Sequence, residues 1–431
     1  MAMRRSKLAD LLTDRDGRKN VLIGLLGLVA AVGVPVLGLV ISRSYNSAAN
    51  PAAQPTSSPS VIVEGWQRVP DQPGVFGNAD IEQLTSVMYR SGTYLAVGSH
   101  AYEPAVWRAT DPRHWTRLTR VEEGTSDRPA MIWSLAYDGG RYVAVGQESD
   151  HAAVWTSVNG TTWRLSPRAA GTFGQPGEYS AMHSIVSFHH RWYAGGDFAA
   201  GGRTAQVATV WTSDDGTHWT RITPSTESSR VPGDRPTITA MHATSDMIVA
   251  VGSNNSLADG ATTCGVWTSR DGSNWSAAHV TGGTLTPKGQ PCVLDAVTTA
   301  HGVWLAVGAV SGDPQVWTSP DGVSWSRVVG ALFTNGYGMT EVNGVAATQR
   351  GWVAVGDDPG PSLVTDAAVW DSSDARRWLR VHPDPAVFGG PDRQVMSAVI
   401  TTDSGAVAVG WDGSSGQSRG AVWVQHPVPG S

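Results

Sequence analysis

The sequence predicts an all-β fold, a seven-bladed β-propeller, with one transmembrane helix in front of it. Three observations predict this architecture. A short apolar strand ending in Val-Gly or Gly-Gly occurs seven times, a Val-Trp pair follows each of these strands, and six of the seven pairs are followed eight residues later by a further Trp. Four-stranded units that repeat roughly every 50 residues are typical of propeller blades.

The N-terminal segment predicts attachment to the cell membrane. Residues 21–42 carry no charge, and these 22 residues would form a helix of about 33 Å, long enough to cross the hydrocarbon core of a bilayer. The basic residues that precede this run are Arg4, Arg5, Lys7, Arg15, Arg18 and Lys19. The positive-inside rule therefore places residues 1–20 in the cytoplasm and everything after residue 42 outside. The alternative interpretation is a cleaved signal peptide.

The remainder of the chain divides into a linker and the repeats. Residues 43–60 are rich in Ser, Ala and Pro, which predicts a flexible tether. Residues 61–427 hold the predicted propeller, in which each unit has an innermost strand, a second strand ending in glycine, and a third and an outermost strand that each carry a Trp. The segment VWTSDDGTHWTR (210–221) shows the last hairpin, two strands around an Asp-Gly turn.

The two ends of the repeat array predict how the ring closes. The seventh unit has no outermost strand after Trp423, whereas residues 65–69 (GWQRV) match the pattern of such a strand at the other end of the chain. We therefore predict that this N-terminal strand pairs with the strand around Trp423 and completes the seventh blade. Such a closure pins both chain ends and covers a sheet edge.

The hairpin resembles the Asp-box, or BNR, repeat of sialidase-like propellers. Thr212, Asp214, Gly216 and Trp219 match the first, acidic, glycine and tryptophan positions of that motif, whereas other units place the acid directly before the glycine, as Asp271 does. The resemblance covers residues 61–425 and implies the propeller fold. In that family the motif is a structural hairpin remote from the ligand site, and sialidases carry an Arg triad on six blades, so the resemblance implies no sialidase activity here.

Most of the 19 Trp residues are interpreted as packing between blades, because they recur at fixed positions of the repeat. The paired positions of the last hairpin are 66, 107, 115, 155, 163, 211, 219, 267, 275, 317, 325, 370, 378 and 423. Twelve residues before each strand-ending glycine stands a small residue, which suits the crowded innermost strand. These small residues are Ser86, Ser134, Ser184, Ala240, Ala296, Gly344 and Ala398.

Candidate binding residues come from the connections that reach one face of the propeller, since long connections on a rigid scaffold are where binding concentrates. Trp133, at the start of an innermost strand, and Trp411, in the loop of the seventh unit, lie outside the repeated Trp positions, and we place both near the mouth of this face. His183, Asp295 and Asn343 share the register of Trp133 and could line the same mouth. The alternative is that these residues are solvated or satisfied by their neighbours.

The two cysteines, Cys264 and Cys292, fall on neighbouring units at this same face. Outside the cytoplasm they could form a disulfide, and the alternative is two buried free thiols. Two cysteines alone do not form a metal site, and the chain carries no recognisable cofactor motif, so neither a metal nor a cofactor is predicted.

Charge and motifs limit the function. A net charge of −6 argues against a dedicated nucleic-acid binder, and neither G-x-S-x-G nor H-E-x-x-H occurs. We therefore predict a membrane-anchored binding or scaffolding module whose partner is an envelope protein or a glycan. The alternative is a glycoside hydrolase or lyase, for which Glu341 and Asp295 are the candidate carboxyl pair by register.

Overall fold

The computed structural model describes residues 65–72, 74–76, 81–122, 129–167, 171–200, 206–222, 234–256, 262–280, 290–328, 340–359, 364–382, 384–414 and 417–425. The predicted cytoplasmic tail (1–20), transmembrane helix (21–42) and linker (43–60) lie outside these residues. Within the described ranges, no helix combines the length and the apolar character needed to cross a membrane.

The described residues form seven sheets, one for each predicted blade. From innermost to outermost strand, blade 1 has β2 (Glu82–Arg90), β3 (Thr93–His100), β4 (Glu103–Asp111) and β5 (His114–Arg117). Blade 2 has β6 (Ala130–Asp138), β7 (Arg141–Glu148), β8 (His151–Ser157) and β9 (Arg164–Leu165). Blade 3 has β10 (Tyr179–Phe188), β11 (Arg191–Ala199), β12 (Gln206–Ser213) and β13 (Thr220–Ile222).

The next two blades continue the same order. Blade 4 has β14 (Asp234–Ala243), β15 (Ile248–Ser256), β16 (Thr262–Ser269) and β17 (Ser276–Ala277). Blade 5 has β19 (Cys292–Ala300), β20 (Val303–Val310), β21 (Asp313–Ser319) and β22 (Ser324–Arg327). The short strand β18 (His279–Val280) follows blade 4 and pairs in parallel with β22 on the outer edge of blade 5.

The last two blades close the ring. Blade 6 has β23 (Glu341–Thr348), β24 (Gly351–Pro359), β25 (Thr365–Ser372) and β26 (Leu379–Arg380), and a one-turn helix α1 (Pro385–Phe388) follows it. Blade 7 has β27 (Arg393–Thr402), β28 (Gly405–Ser414) and β29 (Gln417–Gln425), with β1 (Trp66–Arg68) as its outermost strand. Strand β1 runs antiparallel to β29, with Arg68 opposite Trp423. The predicted seven-bladed architecture and its closure by the N-terminal strand are confirmed.

The innermost strands surround a central axis. Each touches the next in the order β2, β6, β10, β14, β19, β23 and β27, and β27 returns to β2. The core lies between the blades, where the repeated Trp residues are buried together with apolar residues of the neighbouring blade. Trp107, for example, is fully buried in a cluster that also contains Val409 of blade 7. The repeated Trp positions are therefore packing residues, as the sequence predicted.

The Asp-Gly turns hold the outer hairpins. Ser319 Oγ accepts a hydrogen bond from the Gly322 amide at 2.9 Å, Asp321 Oδ1 accepts from the Ser324 amide at 2.7 Å, and Trp325 Nε1 donates to the Gly322 carbonyl at 2.9 Å. Backbone donors, led by that of Ser324, lower the pKa of Asp321 to about 2. The stability that this carboxylate contributes is therefore present above its ordinary pKa and is lost as the pH falls toward 2. Matching turns begin at Ser157, Ser213 and Ser269.

A disulfide joins blades 4 and 5. It links Cys264, in the third strand of blade 4, with Cys292, the first residue of the innermost strand of blade 5, and the two Cα atoms are 4.9 Å apart. Cys292 is fully buried. The bond encloses 28 residues of sequence and ties the start of β19 to the neighbouring blade.

Removal of this disulfide is expected to destabilise the propeller. Closing a loop of this length restricts the unfolded chain by about 3.5 kcal/mol, so the double variant Cys264→Ala/Cys292→Ala should lose roughly that free energy of unfolding. Urea denaturation of the full chain in detergent micelles measures the loss, and the wild type under reducing conditions serves as the matched comparison. A double variant as stable as the oxidised wild type would contradict the expectation.

Candidate functional site at the axial mouth

The innermost strand of every blade carries a β-bulge at the same height. The register shifts by one residue near the start of each strand, so that one residue has no partner on the second strand. Bulges of this kind re-aim a side chain and are enriched beside functional sites. The seven bulged residues are Thr85, Trp133, His183, Thr239, Asp295, Asn343 and Ser397. We call the end of the axis that this ring surrounds the axial mouth.

The bulge explains the glycine that the sequence repeats in each second strand. In blade 6, Gly356 pairs with Val342, directly before the bulge. A Cβ on Gly356 would overlap the carbonyl oxygen of Glu341 and would lie 2.8 Å from its carbonyl carbon. Equivalent collisions would occur at the corresponding glycines of the other six blades. Glycine is therefore required where the second strand approaches the bulge.

Several bulged side chains fasten one blade to the next. The Thr85 hydroxyl donates to the backbone carbonyl of Ile132 at 2.7 Å, and the Asn343 amide donates to that of Met396 at 3.1 Å. Thr239 makes the same type of bond from blade 4 to blade 5. At these positions the polar side chain has a structural partner, which is the alternative that the sequence left open for Asn343.

Blades 5, 6 and 7 contribute a set of side chains to the mouth that we call the acidic group. It consists of Asp295, Glu341, Asp357, Arg393 and Trp411. Arg393 Nη2 donates to Glu341 Oε2 at 2.8 Å and to Asp357 Oδ2 at 2.9 Å. The Arg393 guanidinium carbon lies 5.7 Å from the Trp411 ring centroid. The Asp357 side chain is fully buried, whereas those of Glu341 and Arg393 are 18% and 28% exposed.

Burial raises the pKa values of the carboxyl side chains in the acidic group. Desolvation raises the pKa of Glu341 to about 9, and the neighbouring charges of Asp357 and Asp295 act in the same direction against the opposing effect of Arg393. Desolvation also raises the pKa of Asp357. The pKa of Asp295 rises to about 7, again through desolvation. At neutral pH, Glu341 therefore retains its proton and Asp295 is poised to exchange one.

Blades 2, 3 and 4 form a second set, the histidine group, which consists of Trp133, His183, Asp197 and Thr237. The rings of Trp133 and His183 are 6.1 Å apart between centroids. His183 Nε2 lies 2.8 Å from Asp197 Oδ1, which also accepts a hydrogen bond from the Thr237 hydroxyl at 3.0 Å. Buried Trp133 Nε1 and Asp197 Oδ2 have no hydrogen-bond partner among the described residues.

The structure places four of the five sequence-predicted residues in these two groups. Trp133 and His183 belong to the histidine group, Asp295 and Trp411 belong to the acidic group, and Asn343 donates weakly to Asp357 at 3.4 Å while fastening blade 7. The expected loop position of Trp411 is wrong. It lies in strand β28, directly after Gly410, because the hairpin between β28 and β29 continues beyond the glycine.

Sequence reasoning missed four residues of these groups, one of which is Thr237 in the innermost strand of blade 4. Asp197 and Asp357 directly follow the strand-ending glycines of blades 3 and 6, and Arg393 opens the innermost strand of blade 7. The sequence does contain a signal for the two aspartates. Trp411, a predicted site residue, also directly follows the strand-ending glycine of its blade. A charged residue directly after an apolar strand normally predicts the end of that strand, which hides this signal.

Among the described residues, no set of three His, Cys, Asp or Glu side chains is arranged to hold a metal ion. A cavity of about 180 Å³ lies between blades 1 and 7, where its lining includes Tyr94, Arg113 and Thr402. None of the sequence-predicted site residues lines this cavity. We therefore assign the candidate site to the axial mouth, where the ionisable and aromatic side chains converge.

No protein-family model and no curated protein matches the chain. Among solved structures it is similar to Trypanosoma rangeli sialidase in complex with sialic acid, at 13% identity over 83% of this chain and 57% of that chain, with a TM-score of 0.44. It is also similar to Penicillium chrysogenum alpha-L-arabinanase complexed with arabinobiose, at 11% identity over 85% of this chain and 99% of that one, with a TM-score of 0.47. Sialidases are thus among its structural neighbours, as the repeats predicted.

A third similar structure is the phage phi92 endosialidase, at 10% identity over 86% of this chain and 70% of that chain, with a TM-score of 0.48. The chain spans little more than half the length of the trypanosomal sialidase. These similarities concern the propeller fold alone. The chemistry of the mouth has to be argued from its own residues.

The raised pKa of Glu341 predicts a pH dependence of stability. Between its ordinary pKa near 4.5 and about 9, the folded protein binds a proton at Glu341 that the unfolded chain releases, so this residue makes stability fall as the pH rises. The variant Glu341→Gln cannot titrate, and its thermal midpoint should therefore fall less between pH 5 and pH 9 than that of the wild type.

Thermal unfolding of the full chain in detergent micelles measures this difference. The exposed Glu103 supplies the matched control, since Glu103→Gln should leave the wild-type slope unchanged. Equal slopes for Glu341→Gln and the wild type would show that Glu341 does not hold a proton in the folded state.

Proposed function

We propose that this protein is a membrane-anchored, extracytoplasmic propeller whose axial mouth binds a glycan of the cell envelope. The uncharged run at 21–42, with basic residues before it, supports the anchor and the orientation. The disulfide between Cys264 and Cys292 supports an oxidising compartment, because such bonds persist outside the cytoplasm. The linker over 43–60 would let the propeller reach ligands beyond the membrane surface.

The acidic group is the observation that carries the proposal. It combines charged side chains with Trp411 and has the Asn343 amide beside Asp357, which is the composition of a site that orients a polar ligand. Among the described residues, the exposed large hydrophobic side chains are Tyr89, Tyr102, Val158 and Leu379, and they lie on separate turns and strands. An obligate protein partner would need a larger apolar surface, so the described surface favours a saccharide over an obligate protein partner.

The same residues argue against an acidic sugar. Arg393 is the one cation of the acidic group, and both Glu341 and Asp357 already occupy it. A ligand carboxylate would therefore meet carboxyl groups without an available counter-charge. The site consequently fits a saccharide that carries no negative charge.

Binding to a panel of oligosaccharides tests the proposal. The full chain in detergent micelles would be titrated calorimetrically with uncharged, anionic and cationic oligosaccharides. We expect binding of uncharged or cationic members and at least a tenfold weaker affinity for Trp411→Ala, because that variant removes the aromatic side chain of the acidic group. The control Leu379→Ala removes an exposed apolar side chain elsewhere and should bind as the wild type does. Absence of binding to every member would overturn the proposal.

A glycoside hydrolase or lyase is the second candidate, and the pKa values favour it. Glu341 retains its proton at neutral pH and could donate it to a leaving oxygen, while Asp295, with a pKa of about 7, could accept one. Incubation with the oligosaccharide that binds, followed by mass spectrometry, separates the two functions. Product that disappears in Glu341→Gln, with binding retained, would establish the enzyme, and an intact ligand after prolonged incubation would exclude it.

A further inference from the structure

We propose that the ligand of the axial mouth carries a primary ammonium group and that the Asp295 carboxylate receives it. This inference rests on the proposed glycan-binding function and names the chemical class of the glycan, an amino sugar with a free amine. It is carried by the balance of charges and hydrogen-bonding groups around the mouth.

The acidic group holds more carboxyl groups than cations. The group contains three carboxyl side chains, those of Asp295, Glu341 and Asp357, and one guanidinium, whose ion pairs go to Glu341 and Asp357. Within the described part of the chain, the half-buried Asp295 takes part in neither a hydrogen bond nor an ion pair, and desolvation raises its pKa. A carboxylate that is partly removed from water without a partner is destabilised, and a cationic ligand would relieve this cost.

The histidine group supplies an independent observation of the same kind. The Asp197 side chain is only 4% exposed, and its Oδ1 atom is engaged by His183 and Thr237. Its second oxygen, Oδ2, has no hydrogen-bond donor among the described residues. Asp197 occupies the same strand position in blade 3 as Asp357 does in blade 6, so acceptors without donors occur on two sides of the mouth.

An ammonium group would pair with these carboxylates better than a hydroxyl or an acetamide would. It supplies three donors, no acceptor and a positive charge, whereas an acetamide brings a carbonyl oxygen that would meet the carboxylates. The Trp411 ring is compatible with a cation nearby, because the Arg393 guanidinium already lies over it. Three features of the mouth therefore favour the same ligand chemistry.

A matched series of saccharides tests the inference. Three β-1,4-linked tetrasaccharides, of glucosamine, N-acetylglucosamine and glucose, share one backbone and differ at a single substituent. Calorimetric titration of the full chain in detergent micelles at neutral pH should give at least tenfold tighter binding of the glucosamine tetramer than of the other two. This comparison uses the wild type and does not depend on the folding of any variant.

Variants of the protein then test whether Asp295 is the residue that receives the amine. Asp295→Asn should bring the three affinities to within a factor of two of one another, while Asp246→Asn, the same change at an exposed turn, should preserve the preference. Equal binding of the glucosamine and N-acetylglucosamine tetramers by the wild type would overturn the inference and leave glycan binding in place. Failure of all three to bind, together with failure of the wider panel, would overturn the proposed function itself. A preference that survives in Asp295→Asn would overturn the assignment to Asp295.

Discussion

Gly356→Ala is expected to abolish the native structure of blade 6. The added Cβ would overlap the Glu341 carbonyl oxygen and lie 3.0 Å from the Val342 Cα, and both are backbone atoms that cannot move aside as a side chain can. Relief would require the second strand to separate from the bulge, which breaks the ladder on which blade 6 depends. We expect the free energy of unfolding to fall by about 4 kcal/mol or more.

Gly344 provides the matched control within the same blade. A Cβ there would meet Ala398 Cα at 3.2 Å and the Val355 side chain at 3.3 Å, contacts that a shift of a few tenths of an ångström relieves. Gly344→Ala should therefore cost about 1 kcal/mol. Urea denaturation of the full chains in detergent micelles compares the two variants. Similar losses for both would show that the bulge does not impose the glycine.

Trp423→Ala is expected to weaken the closure of the ring by about 3–5 kcal/mol. Trp423 is fully buried in blade 7, its Nε1 donates to the Val387 carbonyl at 2.8 Å, and Arg68 of the closing strand lies over its ring at 5.8 Å. Alanine would leave a cavity between blades 6 and 7 and would remove the surface against which the N-terminal strand packs.

Trp423→Phe separates the packing from the hydrogen bond. Phenylalanine keeps most of the buried ring but removes the donor to Val387, so we expect roughly half the loss of the alanine variant. Exposure of the closing strand can be followed by proteolysis near Arg68, which should become faster in Trp423→Ala than in Trp423→Phe. A loss below about 1 kcal/mol in Trp423→Ala would contradict a role in closure.

The candidate site was predictable in register but not in composition. Trp133, His183, Asp295 and Asn343 share one distance from the glycine of their unit, and the structure shows that this register is the bulge. The spacing could not show which of these side chains would find a partner. Asn343 is engaged by a backbone carbonyl of blade 7, whereas Asp295 is not engaged by any described residue.

The position of Trp411 is an example of secondary structure that local sequence patterns do not predict. The sequence after Gly410 is rich in Gly and Ser, a composition that predicts a loop, yet β28 continues to Ser414 and pairs with β29. Pairing with a neighbouring strand stabilises extended backbone that its own composition does not favour. In blade 6, strand β24 likewise continues beyond its glycine, so Asp357 lies in a strand and opposite Glu341.

The sequence by itself determined the blades, because a hairpin depends on turns and alternations that lie within about twelve residues of one another. It also determined the closing strand, because residues 65–69 repeat a pattern that is missing after Trp423. Only the tertiary structure decided the mouth. Glu341 and Arg393 are 52 residues apart in the chain and meet because the innermost strands of neighbouring blades lie side by side around the axis. Their ionisation follows from that burial, which no spacing in the sequence specifies.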